Sequence, residues 1–487
     1  MCKNKIAYVF LPAFVGLAAP AAGVAADWEV TPSLTVIETY TDNVDLDSAQ
    51  AEGDFITQVA PNITVRADGP RLDLNLNYTP NYFYYPDATG DKDEIRHNLN
   101  FTANSELSED LFFVDASANV NQRYLDRRRA VSSVDGSRTL NRATIQTYRV
   151  RPYLTHHFGS FADARLEANV RHVRSDDDER LLLAGSNFQK ATSWGTSLTV
   201  DSGSQFSRIG WSYSAYYNDQ QRVSADSYKN YGTRLDGSYR INRMLSLLGS
   251  FGYENRDANS AFVQFDNVVW DAGFRLVPGP RTSISFRYGN QYRGDTFSLS
   301  AFYRITPKAQ LTVTYRDLLE TYQTLEVIDA FVIDPFSGQI SNNGTEFLDD
   351  SFVRTKTWQV SLQGERGRTT YSLSGTNRRY SNEYATRDEE RSTVSASLGR
   401  RLSPKLTVSV YGSFSYSEYT YNLGTDDIPF FVPVDDKFWS AGANASYRIS
   451  ESLTSTVAYV YSDRSGTRLP LLNRPSNYIS ISIRAAL

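Results

Sequence analysis

Residues 71–85 read RLDLNLNYTPNYFYY, and their alternation decides the fold. Leu72, Leu74, Leu76, Tyr78, Pro80, Tyr82 and Tyr84 take every second position, with Asp73, Asn75, Asn77, Thr79, Asn81 and Phe83 between them. A period of two sends one set to each face of a β-strand. One face is apolar and ends in tyrosines; the other is almost wholly polar. A soluble sandwich strand alternates in the same way, but over only about 5–6 residues. A strand of about 10 residues or more, with an aromatic girdle at one end, has the length to cross an outer membrane at a tilt.

The chain has 487 residues and a net charge of −5. Length alone suggests two or three soluble domains, but an aromatic share of 13% with 32 tyrosines points elsewhere. A barrel with lipid outside and water inside has a mean hydropathy close to that of a soluble protein, so the negative value here does not exclude a membrane. The acidic balance and the lack of a basic run argue against nucleic acid as a partner.

Residues 1–26 have the layout of a secretory signal, which fixes the expected division into a signal peptide (1–26) and a barrel (27–487). Lys3 and Lys5 form the basic end, Ile6 to Ala19 the apolar segment, and Val24-Ala25-Ala26 a small-residue cleavage site. An anchoring helix is the alternative, but the apolar segment is short and interrupted by proline. Cys2 is the chain's one cysteine and falls in the removed part, so neither disulfides nor cysteine-ligated metal are expected. No later run of 18 apolar residues follows. An exported chain that alternates throughout belongs in the outer membrane of a Gram-negative bacterium.

The same design recurs from Trp28 to Leu487, giving an all-β, single transmembrane antiparallel β-barrel of about 22 strands (about 20–24). Connection length gives a second, independent sign. Short turns (RADGPR, SELSED, FGSF, DSGSQ, INRM, VPGP, ITPKA, GERGR, LSPK, ISES) alternate with longer loops, several of them acidic, such as PDATGDKDE, SDDDER and TRDEER. Short periplasmic turns and long external loops characterise outer-membrane barrels, and this parity puts both termini in the periplasm. The first strand begins close to the cleavage site, so no N-terminal plug is expected. Closure follows because an open edge in hydrocarbon costs several kcal/mol per unsatisfied group, roughly. The terminal NYISISIRAAL alternates as a closing strand should, although it ends in Leu487 and not in an aromatic.

The opening PSLTVIETYTDNVDLD (32–47) and GDFITQVAPNITVRADGPRLDLNLNYTPNY (53–82) resemble the β-barrel proteins associated with PEP-CTERM/exosortase systems and exopolysaccharide loci, of the β-barrel porin type. The resemblance covers roughly the first 80 mature residues, and the remainder matches only in pattern. It implies an outer-membrane barrel in a surface-polysaccharide setting, with no catalytic motif to transfer.

Strand parity turns Arg149, Arg151, Arg165, Arg171, Arg208, Arg234, Arg240, Arg275, Arg287 and Arg304 inward, together with Asp115, Glu167, Asp236 and Asp271. Such a wall either selects anions or consists of charges paired across neighbouring strands. Two external segments are unusually apolar, residues 317–351 and 428–434. The first is expected either to fold inward as a constriction through Leu318, Leu325, Ile328, Phe331 and Phe336, or to pack on the rim or on a partner. His97, His156, His157 and His172 are the only histidines. With no phosphate-cradling glycine loop, HExxH or calcium-loop spacing, neither catalysis nor a cofactor is expected.

Two functions fit. One is a passive porin-like channel, associated through the resemblance with exopolysaccharide export. The other is a non-conducting scaffold or adhesion component acting through its external loops. Expected partners are outer-membrane lipid and lipopolysaccharide, the barrel-assembly machinery and polysaccharide-export components.

Overall fold

The computed structural model describes residues 26–46, 51–87, 91–124, 131–132, 134–139, 141–175, 190–222, 228–257, 264–292, 294–321, 331–333, 340–342, 352–382, 389–422, 431–466 and 475–487. Twenty-two strands form a single sheet, each pairing with its sequence neighbours. The sheet then rolls shut, because the first strand (Asp27–Thr41) pairs antiparallel with the last (Ser476–Ala486). That seam runs from Ser33↔Ala486 to Thr41↔Tyr478. Leu487 N adds a bond to Pro32 O at 3.0 Å, and Asp42 accepts from Asn477 N and Nδ2 at 2.8 and 2.7 Å. No sheet edge is left for solvent or hydrocarbon to attack.

Each strand expected from the alternation is present. The stretch that decides the fold is Leu72–Tyr84, paired on one side with Asp54–Gly69 and on the other with Asp93–Ser108. Ten turns of two to six residues lie at one rim. One of the two-residue turns enters the left-handed region, and Gly367, at φ 62°, does so without strain. The opposite rim carries the long connections, with one departure from the expected parity. The strands Thr282–Gln291 and Gly294–Thr306 are joined there by Tyr292 and Arg293 alone, with Tyr292 at φ 53°. A small antiparallel pair, Phe331–Ile333 with Ile340–Asn342, stands apart from the barrel sheet.

The apolar residues sit on the outside and not in a central core. Phe251 is 63% exposed, Ile481 50% and Leu166 50%, and such side chains alternate with polar ones along every long strand. Outward rings pack across strands, stacked in Phe297–Tyr315 at 4.0 Å and tilted in Trp439–Tyr461 at 4.7 Å between centroids. A continuous belt of this kind is satisfied by hydrocarbon and not by water. Spacing and tilt typical of barrels make a ring of this strand number roughly 40 Å across, backbone to backbone.

Candidate functional site

The site is the lumen, and parity places its residues. Val150 is exposed on the outer face, so Arg149 and Arg151 on either side of it point inward. Arg165, Glu167 and Arg171 alternate with outward Leu166 and Val170 in the same way. The charges there are largely paired: Arg151 meets Asp115 at 2.9 Å and Glu167 at 3.9 Å, while Arg165 meets Glu167 at 2.8 Å. The Arg165 guanidinium also lies 3.7 Å from the Tyr153 ring centre, and Tyr153 stacks on Phe113 at 5.0 Å.

A second group is a closed ring of opposite charges on three of four successive strands (residues 228–291). Arg234 donates to Asp236 at 3.1 Å and to Asp271, and Arg287 donates to Asp236 at 3.2 Å and Asp271 at 2.7 Å. Ser250 adds a bond to Asp271 at 2.6 Å. Arg208, Arg240, Arg275 and Arg304 are different. All four are exposed toward the short-turn rim, and Arg208 lies in a turn just before Ile209–Arg222 and not on a strand.

Of the residues expected to constrict the channel, Leu318 belongs to the strand Ala309–Thr321, half-buried and opposite Thr355. Phe331 contributes backbone to the small separate strand pair. Leu325, Ile328 and Phe336 lie outside the described residues, as do residues 428–430 and the expected signal segment up to residue 25, while Phe431 to Val434 open the strand Phe431–Arg448 with Val432 and Val434 buried.

The inward-folded segment that the structure does describe is another one, Val131–Asn141 (without residues 133 and 140, which lie outside the described residues), between the strands Phe112–Tyr124 and Arg142–His157. It docks on three parts of the wall. Its own strands hold one end, through Arg142 to Asp135 O and Oδ1, both at 2.8 Å, and Tyr124 Oη to Ser132 O at 3.0 Å. In the middle, Tyr85 Oη donates to Gly136 O at 2.9 Å, while Arg96 donates to Asp135 O and to Ser137 O at 3.3 Å. Arg96 is itself held by Glu94 at 2.6 Å and lies 4.4 Å above the Phe83 ring. Burial pushes the Tyr85 hydroxyl up to about 12, so it stays a neutral donor at physiological pH.

The far contact crosses the seam. Tyr478 Oη hydrogen-bonds Ser132 Oγ at 3.0 Å and Ser137 Oγ at 3.1 Å. Val134 joins Tyr411, Val460 and Tyr478 in one buried cluster. The wall from Tyr411 to Arg142 comprises ten successive strands, so the segment fills the bowl of a ten-strand arc. Small residues permit the approach. A Cβ on Gly136 would sit 3.2 Å from Ile56 Cδ1, and Tyr411 lies flat over Gly442, where a Cβ would come within 2.6 Å of the ring.

Sequence reasoning missed this segment because RRRAVSSVDGSRTLNR reads as a polar, basic loop. A usable signal was the parity of Tyr411 and Tyr478. Both fall on the inward face, between outward Val410 and Ile479 and their like, where a lipid girdle has no use for them. Among the described residues no group of three or more His, Cys, Asp or Glu could hold a metal ion. His157 pairs with Asp163 at 2.7 Å at the short-turn rim, and His97 with Tyr78 Oη at 2.9 Å.

No family model and no curated protein matches the chain. Solved structures do resemble it in fold. The FrpB iron transporter from Neisseria meningitidis (F3-3 variant) superposes with a TM-score of 0.54 at 11% identity, covering 94% of this chain and 81% of that one. The siderophore receptor PirA from Acinetobacter baumannii gives 0.53 at 7% identity over 94% and 80%. The ferric-catecholate import receptor Fiu from E. coli K12 gives 0.51 at 9% over 93% and 81%. The chain thus has the closed 22-strand fold of large outer-membrane receptor and transporter barrels.

Proposed function

We propose that this chain is an outer-membrane conduit that passes solutes passively through a lumen narrowed by Val131–Asn141. The observation that carries the reading is the pairing of an apolar belt outside with a polar lumen that, among the described residues, the Val131–Asn141 segment occupies on one side. A ring roughly 40 Å across is too wide for a segment of eleven residues seated on a ten-strand arc to close. Selection then falls to the lumen charges and to what the segment leaves open. We read the chain as non-catalytic, with lipid and lipopolysaccharide around the belt and the assembly machinery as a transient partner.

The finer reading, a role in exopolysaccharide export with export components as partners, rests on the resemblance of residues 32–82 alone. The structural neighbours named above are described as iron and siderophore proteins, so the cargo class stays part of the proposal. Planar-bilayer recording tests the conduit: wild type should conduct, and replacing residues 131–139 by a short Gly-Ser linker should raise the single-channel conductance. A folded wild-type barrel that is electrically silent would favour the scaffold role and overturn this one.

A further inference from the structure

Much of the charged wall is paired, but Arg149 is not. Its Nε is buried with no partner, and no described residue accepts a hydrogen bond or ion pair from its guanidinium. Arg149 stands directly opposite Ser117 on one side and Arg171 on the other. Like charges in register on paired strands repel. An orphaned guanidinium N–H facing the lumen calls for an acceptor, and an anion supplies one.

The place is open to such a ligand. A recess of about 250 Å³ is lined by Thr102, Asn104, Asp115, Ser117, Arg149 and Arg151, and Thr102 and Asn104 are exposed to the lumen. Asp115 does not compete for Arg149, because it already accepts from Arg151 at 2.9 Å and Asn104 at 2.8 Å. Glu167 is likewise engaged by Arg165. Asp73 also lines the recess and is exposed, so its repulsion keeps binding weak enough for release, as a conduit requires.

We infer that Arg149, with the Ser117 hydroxyl beside it, forms an oxyanion-binding subsite in the lumen wall, which takes a carboxylate, sulfate or phosphate group carried by a passing solute. A planar guanidinium with free N–H groups matches an oxyanion in two-point contact and discriminates it from chloride. This inference deepens the conduit reading but is tested without current, so a silent barrel would sink the conduit and leave the subsite standing.

The test is a titration of the full-length protein, folded in detergent micelles, with sodium sulfate or sodium acetate at constant ionic strength in sodium chloride. Thermal midpoint is the readout, and heat-modifiable gel mobility confirms folding. Wild type should show a saturable rise with sulfate in the millimolar range. Arg149→Gln should weaken it at least about tenfold, while Arg275→Gln, on an exposed arginine near the short-turn rim, should leave it unchanged. Ser117→Asp, which puts a carboxylate opposite Arg149, should raise the basal midpoint and abolish the sulfate response. An acetate response equal to that of sulfate assigns both carboxylates and tetrahedral oxyanions; a response to sulfate alone assigns tetrahedral oxyanions. No response in wild type, or the same response in Arg149→Gln and Ser117→Asp, overturns the subsite.

Discussion

Two stretches of the lumen wall brace their strands by different chemistry. Between residues 228 and 291 the inward positions hold the ring of Arg234, Asp236, Asp271 and Arg287. Between residues 369 and 462, alongside Arg378, Arg391 and Asp436 nearer the long-loop rim, they hold hydroxyls that pair across strands: Ser372–Ser397 and Ser374–Ser395 at 2.7 Å, Thr393–Ser415 at 3.1 Å and Ser413–Ser440 at 3.0 Å. The charged stretch is saturated by its own partners and fills space with long side chains. The hydroxyl stretch is thin. It is beside the thin stretch, where Tyr411 lies flat over Gly442, that Val131–Asn141 finds its seat.

The largest expected effect comes from breaking the charged ring. Asp271→Ala leaves two half-buried guanidinium groups and the Ser250 hydroxyl without their shared acceptor, which should cost about 2–4 kcal/mol. Urea unfolding in liposomes reads this directly, and a loss under 1 kcal/mol (roughly) would mean that Asp236 alone holds the ring. Next comes Gly442→Ala. The new methyl displaces the Tyr411 ring, costs about 1–3 kcal/mol and should loosen the Val131–Asn141 seat. Flickering to higher conductance is the expected record; a trace like that of wild type would detach Tyr411 from the seat.

Tyr478→Phe removes the hydroxyl shared by Ser132 and Ser137, for about 1–2 kcal/mol. Trypsin cleavage near Arg138 should then quicken while the barrel still migrates as folded, and unchanged cleavage would argue that the apolar cluster holds the segment unaided. The smallest effect is expected in the hydroxyl stretch. Ser374→Ala should cost about 0.5–1 kcal/mol, and the double change with Ser395→Ala should cost little more, since both partners go together. If Ser374→Ala proved as costly as Asp271→Ala, the contrast between the two stretches would collapse.

Most of the fold was legible because its determinant is local. A strand crossing hydrocarbon must alternate, and Leu72–Tyr84 or Ile479–Ile483 show that period without any knowledge of their neighbours. Turn length was legible for the same reason, apart from the connection at Tyr292. The pairing of Arg151 with Asp115 and Glu167 was open from sequence as one of two readings, because cross-strand register is not local. The seat of Val131–Asn141 was out of reach. Its contacts join Ser132 to Tyr478 across 346 positions, and nothing in the segment's polarity marks it as buried. The apolar stretch around Leu318 carried the stronger local signal, and the docked segment described here is a different one.

The seam carries a further consequence. Ser33 to Thr41 cannot find their partners until Tyr478 to Ala486 exist, so the ring's final zipper links positions at nearly the greatest sequence separation the chain offers. Such a step is slow, and until it is complete two unpaired edges face their surroundings, each a template for a wrong partner. This protein's birth is therefore more hazardous than its adult life, and the hazard lasts until its two ends meet.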